Sequence, residues 1–231
     1  MSYIKENLTG VNEQMQKTAA ACGREASEVR LIAVTKTYGA DLINEAIDCG
    51  VTDIGENRVQ ELLEQYEQVK PVRWHLIGHL QKNKVKYIID KVELIHSVDS
   101  FELAKEIDRH AKKIDKVQRI LLEVNVSGEE SKFGICPDEC EELCRRISQL
   151  ENVKIEGLMT IAPFVDDKKI LEGVFTGLKN LAQDISAKAI ERVDMRELSM
   201  GMTNDFPLAI KCGATVIRVG TGIFGKRNYT K

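Results

Sequence analysis

Residues 30–55 read RLIAVTKTYGADLINEAIDCGVTDIG, and this stretch holds the repeating unit of the chain. Leu31-Ile32-Ala33-Val34 is apolar at consecutive positions, as a strand covered on both faces must be. Leu42, Ile43, Ala46 and Ile47 then recur at helical spacing, and Cys49-Gly50 supplies a glycine stop. Thr52–Gly55 starts the next strand. The same alternation runs to residue 219. The predicted strands are Arg30–Lys36, Thr52–Gly55, Val72–Gly78, Leu94–Val98, Gln118–Val126, Lys154–Ile161, Arg196–Met200 and Thr215–Val219.

Between them lie amphipathic helical stripes: Val59, Leu62, Leu63 and Tyr66; Leu103, Ala104, Ile107 and Ala111; and the long set Ile170, Leu171, Val174, Phe175, Leu178, Leu181, Ala182 and Ile185. A leading helix with Val11, Met15, Ala19 and Cys22 on one side precedes the first strand. Strict strand–helix alternation predicts parallel strands with right-handed crossovers. Eight units between residues 30 and 219 average about 24 residues each, compact but sufficient for a (β/α)8 barrel. The expected fold class is therefore α/β, a single (β/α)8 TIM-type barrel with an extra N-terminal helix. A doubly wound open sheet is the alternative, and it rarely needs eight tandem units. No Pro/Gly/Ser-rich linker divides the chain, so residues 1–231 are expected to form one domain, with 1–29 the leading helix and 30–225 the barrel.

Composition narrows the partners. The 231 residues are 43% hydrophobic and 30% charged, within the ordinary globular range. The formal net charge of −3 is spread along the chain, which leaves no basic footprint for nucleic acid. The clean aliphatic runs are four residues long, against the roughly 20 a membrane-spanning helix needs. The opening Met1-Ser2-Tyr3-Ile4-Lys5-Glu6 is no signal peptide, so a cytoplasmic protein is expected. Three of the six cysteines precede glycine, in Cys22-Gly23, Cys49-Gly50 and Cys212-Gly213, and are placed in last helical turns. Cys136, Cys140 and Cys144 are spaced so that they could share a helix face but lack a fourth ligand nearby; Cys140, Leu143, Cys144 and Ile147 read as one apolar stripe, not a metal site.

In a parallel barrel the working residues sit at the C-terminal strand ends, and phosphate often binds after strands seven and eight. Strand one closes with Lys36 facing that mouth, where desolvation favours the neutral amine that attacks a carbonyl. Strand seven ends in Leu198-Ser199-Met200-Gly201-Met202-Thr203-Asn204-Asp205, which brings the Ser199, Met200 and Gly201 segment to the mouth, with Thr203 or Asn204 as helix N-cap. Strand eight ends in Arg218-Val219-Gly220-Thr221-Gly222-Ile223-Phe224-Gly225, a glycine-rich loop suited to an anion. The two loops form a phosphate cup, and Arg218 stands two residues before it. A guanidinium facing a pyridine nitrogen would keep that nitrogen unprotonated. An aldehyde-bearing phosphorylated pyridine would meet Lys36, Arg218 and the cup at once.

Several motifs, in order, resemble the pyridoxal phosphate homeostasis family (the proline-synthase-cotranscribed homologues): Ala33-Val34-Thr35-Lys36, Gly55-Glu56-Asn57-Arg58-Val59-Gln60-Glu61, Trp74-His75-Leu76-Ile77-Gly78-His79-Leu80-Gln81, Ser131-Lys132-Phe133-Gly134, Gly157-Leu158-Met159-Thr160, Leu198-Ser199-Met200-Gly201-Met202 and Ile217-Arg218-Val219-Gly220-Thr221. The resemblance spans residues 30 to 227. It implies an alanine-racemase N-terminal type of barrel with pyridoxal 5′-phosphate held as an aldimine on Lys36. It further implies Arg218 on the ring nitrogen, Ser199, Gly220 and Thr221 around the phosphate, and Asn57 at the mouth near the cofactor. The family often has serine where Thr203 stands and alanine where Gly222 stands. No role falls to His79, and no metal site to His75 with His79.

Two functions from different classes fit. The first is a carrier that buffers or delivers pyridoxal phosphate, possible clients being enzymes that use it, without robust turnover of its own. The second is a small fold-type III enzyme, a racemase or decarboxylase. A two-base racemase needs a group on each face of the bound substrate; in alanine racemases, the resemblance implies, a C-terminal β-domain supplies one. The sequence stops twelve residues after strand eight, so the carrier is favoured; Tyr38 and Tyr229 could approach the mouth but are expected to pack or face solvent. A barrel enzyme acting on another phosphate with Lys36 as Schiff base is a third reading. A monomer or weak homodimer is expected.

Overall fold

A computed structural model describes residues 2–225 of the chain. Eight strands, β1 (Arg30–Val34), β2 (Asp53–Glu56), β3 (Arg73–Leu76), β4 (Val92–Val98), β5 (Gln118–Glu123), β6 (Val153–Met159), β7 (Val193–Met202) and β8 (Val216–Val219), close into a barrel in sequence order. Every neighbouring pair is parallel, and β8 returns to β1 through pairings such as Ile32 with Arg218. Each predicted strand is present with its ends moved by a few residues. β1 stops at Val34, so Lys36 lies in the turn beyond it, while β7 begins three residues before the predicted Arg196 and runs on to Met202.

The helices follow the stripes. They are α1 (Tyr3–Ala21), α2 (Ala40–Asp48), α3 (Val59–Tyr66), α4 (Phe101–Lys112), α5 (Cys140–Ile147), α6 (Lys168–Ser186), α7 (Phe206–Lys211) and α8 (Thr221–Phe224). The β3–β4 connection carries only a 3-10 helix, Lys82–Tyr87, where the sequence shows no helical stripe. Cys22, Cys49 and Cys212 stand just past the ends of α1, α2 and α7, as their following glycines predict. Cys140, Leu143, Cys144 and Ile147 all face the core from α5, whereas Cys136 is exposed. On α6, Leu171, Val174, Phe175, Leu178, Ala182 and Ile185 are buried, and Ile170 of the same stripe is exposed in the first turn, beside the barrel mouth.

Caps explain where helices begin. The Ser100 hydroxyl accepts the Leu103 N–H at 3.4 Å, and Asp167 Oδ1 accepts the Lys169 N–H at 2.8 Å. The cap of α7 is Asp205 rather than Thr203 or Asn204: Pro207 fixes the first turn and Asp205 Oδ1 takes the Met202 N–H at 2.5 Å instead.

Two apolar bodies hold the molecule together. The main core lies between strands and helices, and Leu94, Leu121 and Met159 form a separate cluster inside the barrel. Alternation along the strands therefore sorts side chains into an outer layer against the helices and an inner layer filling the lumen. Buried polar side chains share the lumen with that cluster, among them Asp53, His75, His96, Ser199 and Arg218. All six cysteines are free thiols, and no helix among the described residues is long and apolar enough to cross a membrane.

Candidate functional site at the barrel mouth

The C-terminal ends of β1, β2, β7 and β8 bring together most of the residues singled out above. Lys36 is half-buried in the turn after β1, closed by the Tyr38 N–H on the Thr35 carbonyl at 3.0 Å. The next residue, Thr37, has φ +71°, a left-handed conformation costly for a β-branched side chain. Its N–H donates to Glu61 Oε2 of α3 at 3.2 Å, so the strained turn that presents Lys36 is tied to the neighbouring helix.

Arg218 is the centre of the site and is 4% exposed. Its Nη1 donates to Ser199 Oγ at 2.7 Å and its Nη2 to the Thr160 carbonyl at 2.9 Å. Burial lowers its pKa to about 10, against the pull of Asp205 and Glu123, so it stays charged at neutral pH. Ser199 is fully buried and turns its hydroxyl inward, to Arg218 and to His96 Nδ1 at 2.9 Å. The sequence reading sets Ser199 beside the glycine loop; the structure joins it to the arginine below that loop. The Met200 side chain is buried in the main core, because alternation sends it outward, and only its backbone faces inward.

The loop after β8 lies against the loop after β7. Thr221 Oγ1 meets Thr203 Oγ1 at 3.3 Å, and the Gly222 N–H donates to Thr203 Oγ1 at 3.3 Å. A Cβ on Gly222 would come within 2.9 Å of Val219, and one on Gly201, at φ +91°, within 2.6 Å of the Ala209 Cβ. Gly220 has less at stake, its added Cβ reaching Val34 at 3.3 Å. Asn57 is half-buried just past β2, and Gly78 lets the next chain segment cross its backbone: a Cβ there would sit 2.4 Å from the Asn57 carbonyl oxygen. Tyr38 is engaged elsewhere, stacked on Phe224 at 4.7 Å with its hydroxyl donating to the Gly225 carbonyl at 2.9 Å. Tyr229 lies outside the described residues. His79 stacks on Phe133 at the rim, with ring centroids 4.3 Å apart. Among the described residues no three His, Cys, Asp or Glu side chains are placed to hold a metal ion.

Two buried carboxyls at C-terminal strand ends, Glu56 and Glu123, escaped the sequence reading. Glu123, ending β5, is 4% exposed, and its Oε2 has no hydrogen-bond partner among the described residues. Burial and the nearby Asp99 push its pKa up to about 7, opposed by Arg218. Glu56, ending β2, is fully buried and accepts the Thr35 hydroxyl at Oε1. Burial, assisted by the charge of Glu61 and opposed by the Thr35 bond, raises it to about 7 as well. A charge at the end of an apolar strand was the only signal either residue gave.

Glu56 makes stability pH-dependent. Its folded pKa exceeds the unfolded one, so the native state holds the proton longer and stability falls as pH rises from about 4.5 through 7, by up to about 3 kcal/mol. Glu56→Gln removes that slope. Urea unfolding between pH 5 and 8 is expected to show the variant gaining on the parent as pH rises; parallel profiles would show that Glu56 is ionised in the fold throughout.

Comparison with known proteins identifies the family and its fold. The family described as "Alanine racemase, N-terminal domain" matches residues 7–228. The pyridoxal phosphate homeostasis protein of Aquifex aeolicus is 43% identical over 226 residues, covering 97% of this chain and 98% of that one. The crystal structure of an unknown protein from Bifidobacterium adolescentis superposes with a TM-score of 0.92 at 38% identity, covering 96% of this chain and 94% of that one. The structure of PipY from Synechococcus elongatus with PLP bound gives a TM-score of 0.84 at 34% identity, covering 96% and 100%. The chain belongs to the pyridoxal phosphate homeostasis protein family, built on the alanine racemase N-terminal barrel.

Proposed function

We propose that this barrel holds pyridoxal 5′-phosphate and serves its homeostasis and delivery, without robust turnover of its own. Lys36 would carry the aldehyde as a Schiff base, Arg218 would face the ring nitrogen, and Gly220, Thr221 and Gly222 with Thr203 would receive the phosphate. Asn57, Gly201 and the backbone of Met200 would line the cavity, and Ser199 would act from beneath through Arg218. The observation that carries this reading is Arg218, a buried cation near the C-terminal end of β8, held by hydrogen bonds to Ser199 of β7 and to the Thr160 carbonyl just past β6. The residues fit the group chemically: an amine for the aldehyde, a donor-only cation for the nitrogen, and two hydroxyls with closely approaching backbone for the phosphate. A ring nitrogen that only accepts a hydrogen bond stays unprotonated and is a poor electron sink, which suits storage over carbanion chemistry.

By the same reading the protein is cytoplasmic, a single domain, and a monomer or weak homodimer. It would meet enzymes that use the cofactor, and neither nucleic acid nor membrane. The test is the visible spectrum of purified protein with pyridoxal phosphate, followed by borohydride reduction and peptide mapping. A reduced pyridoxyl group on Lys36 is expected; a colourless, unmodified protein would overturn the reading. Arg218→Glu is expected to let the ring nitrogen take a proton, shift the absorption band and raise side reactions with added amino acids. An unchanged spectrum and reactivity would mean that Arg218 faces elsewhere.

One observation favours the enzyme reading. Glu123 is a buried carboxyl with a pKa of about 7 beside Arg218, poised for proton transfer at neutral pH. Exchange of amino-acid α-protons in D2O that Glu123→Gln abolishes would favour the enzyme; no exchange would favour the carrier.

A further inference from the structure

A line of buried polar side chains crosses the lumen from the closed end of the barrel to Arg218. At its start, Arg73 grips Asp53 bidentately, Nε to Oδ1 at 2.8 Å and Nη2 to Oδ2 at 2.6 Å, and the Thr52 hydroxyl adds a bond to Oδ2 at 2.7 Å. Asp53 Oδ1 lies 2.9 Å from His75 Nε2. His75 Nδ1 lies 3.1 Å from His96 Nε2, and His96 Nδ1 lies 2.9 Å from Ser199 Oγ. Ser199 then accepts from Arg218. Asp53, His75, His96, Ser199 and Arg218 are all at most 4% exposed.

The direction of every bond follows from the first. Burial works against ionisation of Asp53, but hydrogen bonds from His75, Arg73 and Thr52 outweigh it and hold the carboxyl well below its ordinary range. A carboxylate only accepts, so His75 must carry its proton on Nε2. Burial keeps both imidazoles neutral, their pKa values lowered despite the pull of Asp53 on His75. A neutral His75 therefore offers a bare Nδ1, which His96 must fill from its own Nε2–H. His96 Nδ1 is then bare in turn and takes the Ser199 proton. The serine oxygen is left with lone pairs only, and these receive Arg218.

We propose that Asp53, His75 and His96 are positioning residues: the carboxylate at the closed end of the barrel sets one tautomer along the line, and so orients the Ser199 hydroxyl and anchors the Arg218 guanidinium at the mouth. An aspartate that fixes an imidazole tautomer is a familiar arrangement. Here two imidazoles in series carry the constraint to a cation on the far side of the lumen. No donor meets a donor along the line, which is what a fully satisfied buried network requires. That Arg218 in turn meets a cofactor rests on the function proposed above; the line itself does not.

The experiment is 15N NMR of histidine- and arginine-labelled protein without added ligand. His75 and His96 are both expected as neutral Nε2–H tautomers between pH 6 and 8, with separate, slowly exchanging Nη–H signals from Arg218. A neutral Nδ1–H tautomer at either histidine, or a charged imidazole, would overturn the proposal on the unaltered protein, whatever the variants do. Asp53→Asn is expected to lose the single tautomer at His96, which Asp53 does not touch, and to collapse the resolved Arg218 signals. Retention of both in a folded variant would also overturn it. Pyridoxal phosphate is then added to each protein and its absorption band recorded. With tautomers as expected, a band shift in Asp53→Asn supports the line acting on the cofactor site. An unmoved band leaves the line standing and overturns instead the reading that Arg218 faces the ring.

Discussion

Lys36→Ala is expected to abolish covalent retention of pyridoxal phosphate and to leave the barrel folded. The imine is the one bond in the proposed site that survives dilution; without it the ligand keeps only hydrogen bonds and the phosphate loop. A loss of about 3 kcal/mol, roughly 100-fold in affinity, is a conservative expectation. Lys36 is half-buried and stands past the end of β1, outside both apolar clusters, so its truncation changes packing little. The stability change is expected below about 0.5 kcal/mol, a shift of no more than about 2 °C in Tm. Gel filtration of loaded protein, then borohydride and peptide mapping, reads the first effect, and thermal unfolding the second. The informative failure is a pyridoxyl group on Lys132 in the variant. That lysine reaches the Ile161 carbonyl at 3.3 Å just past β6, and its labelling would show that the mouth holds a second competent amine.

Gly157→Ala is expected to be the most destabilising single-methyl change in the strands. Gly157 has φ +154°, and a Cβ there would lie 1.8 Å from the Glu197 carbonyl oxygen of β7. The position is pinned from both sides, since Gly157 pairs with Leu121 and with Glu197 and the register shifts beside it on each neighbour. In an open sheet an edge strand could move away. In a closed barrel a shift at β6 propagates to both adjoining strands, so the clash and the backbone strain both remain. A loss of at least about 4 kcal/mol is expected, read as a lower urea midpoint or as failure to accumulate soluble protein. Gly173→Ala on α6 is the control, because a Cβ there meets nothing within 4 Å; it is expected to be neutral or stabilising by up to about 1 kcal/mol. Equal midpoints for the two variants would show that the β6 bulge relaxes freely.

The strands and helices were legible because their signals are local. Leu31–Val34 reads as a strand from four adjacent residues, and the α5 stripe of Cys140, Leu143, Cys144 and Ile147 from eight. Lys36, Gly220 and Arg218 were legible one step further on, because parallel closure sends every strand's C-terminal end to one face, and position along the strand then says which residues reach it. Asp53, His75, His96 and Glu123 were not legible. His96 did leave a trace, as a histidine inside the apolar run Leu94-Ile95-His96-Ser97-Val98, but nothing local names its partner. Its partners stand 21 and 103 residues away in the chain, and they meet only once the lumen is closed.

By itself, then, the sequence determined the eight-unit alternation, the face to which the strand ends run, and the lysine, arginine and glycine loops offered there. Periodicity and strand polarity are properties of neighbours along the chain, and they survive without any knowledge of packing. Tertiary structure alone decided which groups share a proton, a charge or a van der Waals surface. It turned Ser199 inward to Arg218 and Met200 outward to the helices, left Glu56 and Glu123 as buried carboxyls, and allowed only glycine at position 157. Those outcomes depend on inter-strand register and barrel closure, where a shift of one residue reverses which face a side chain takes.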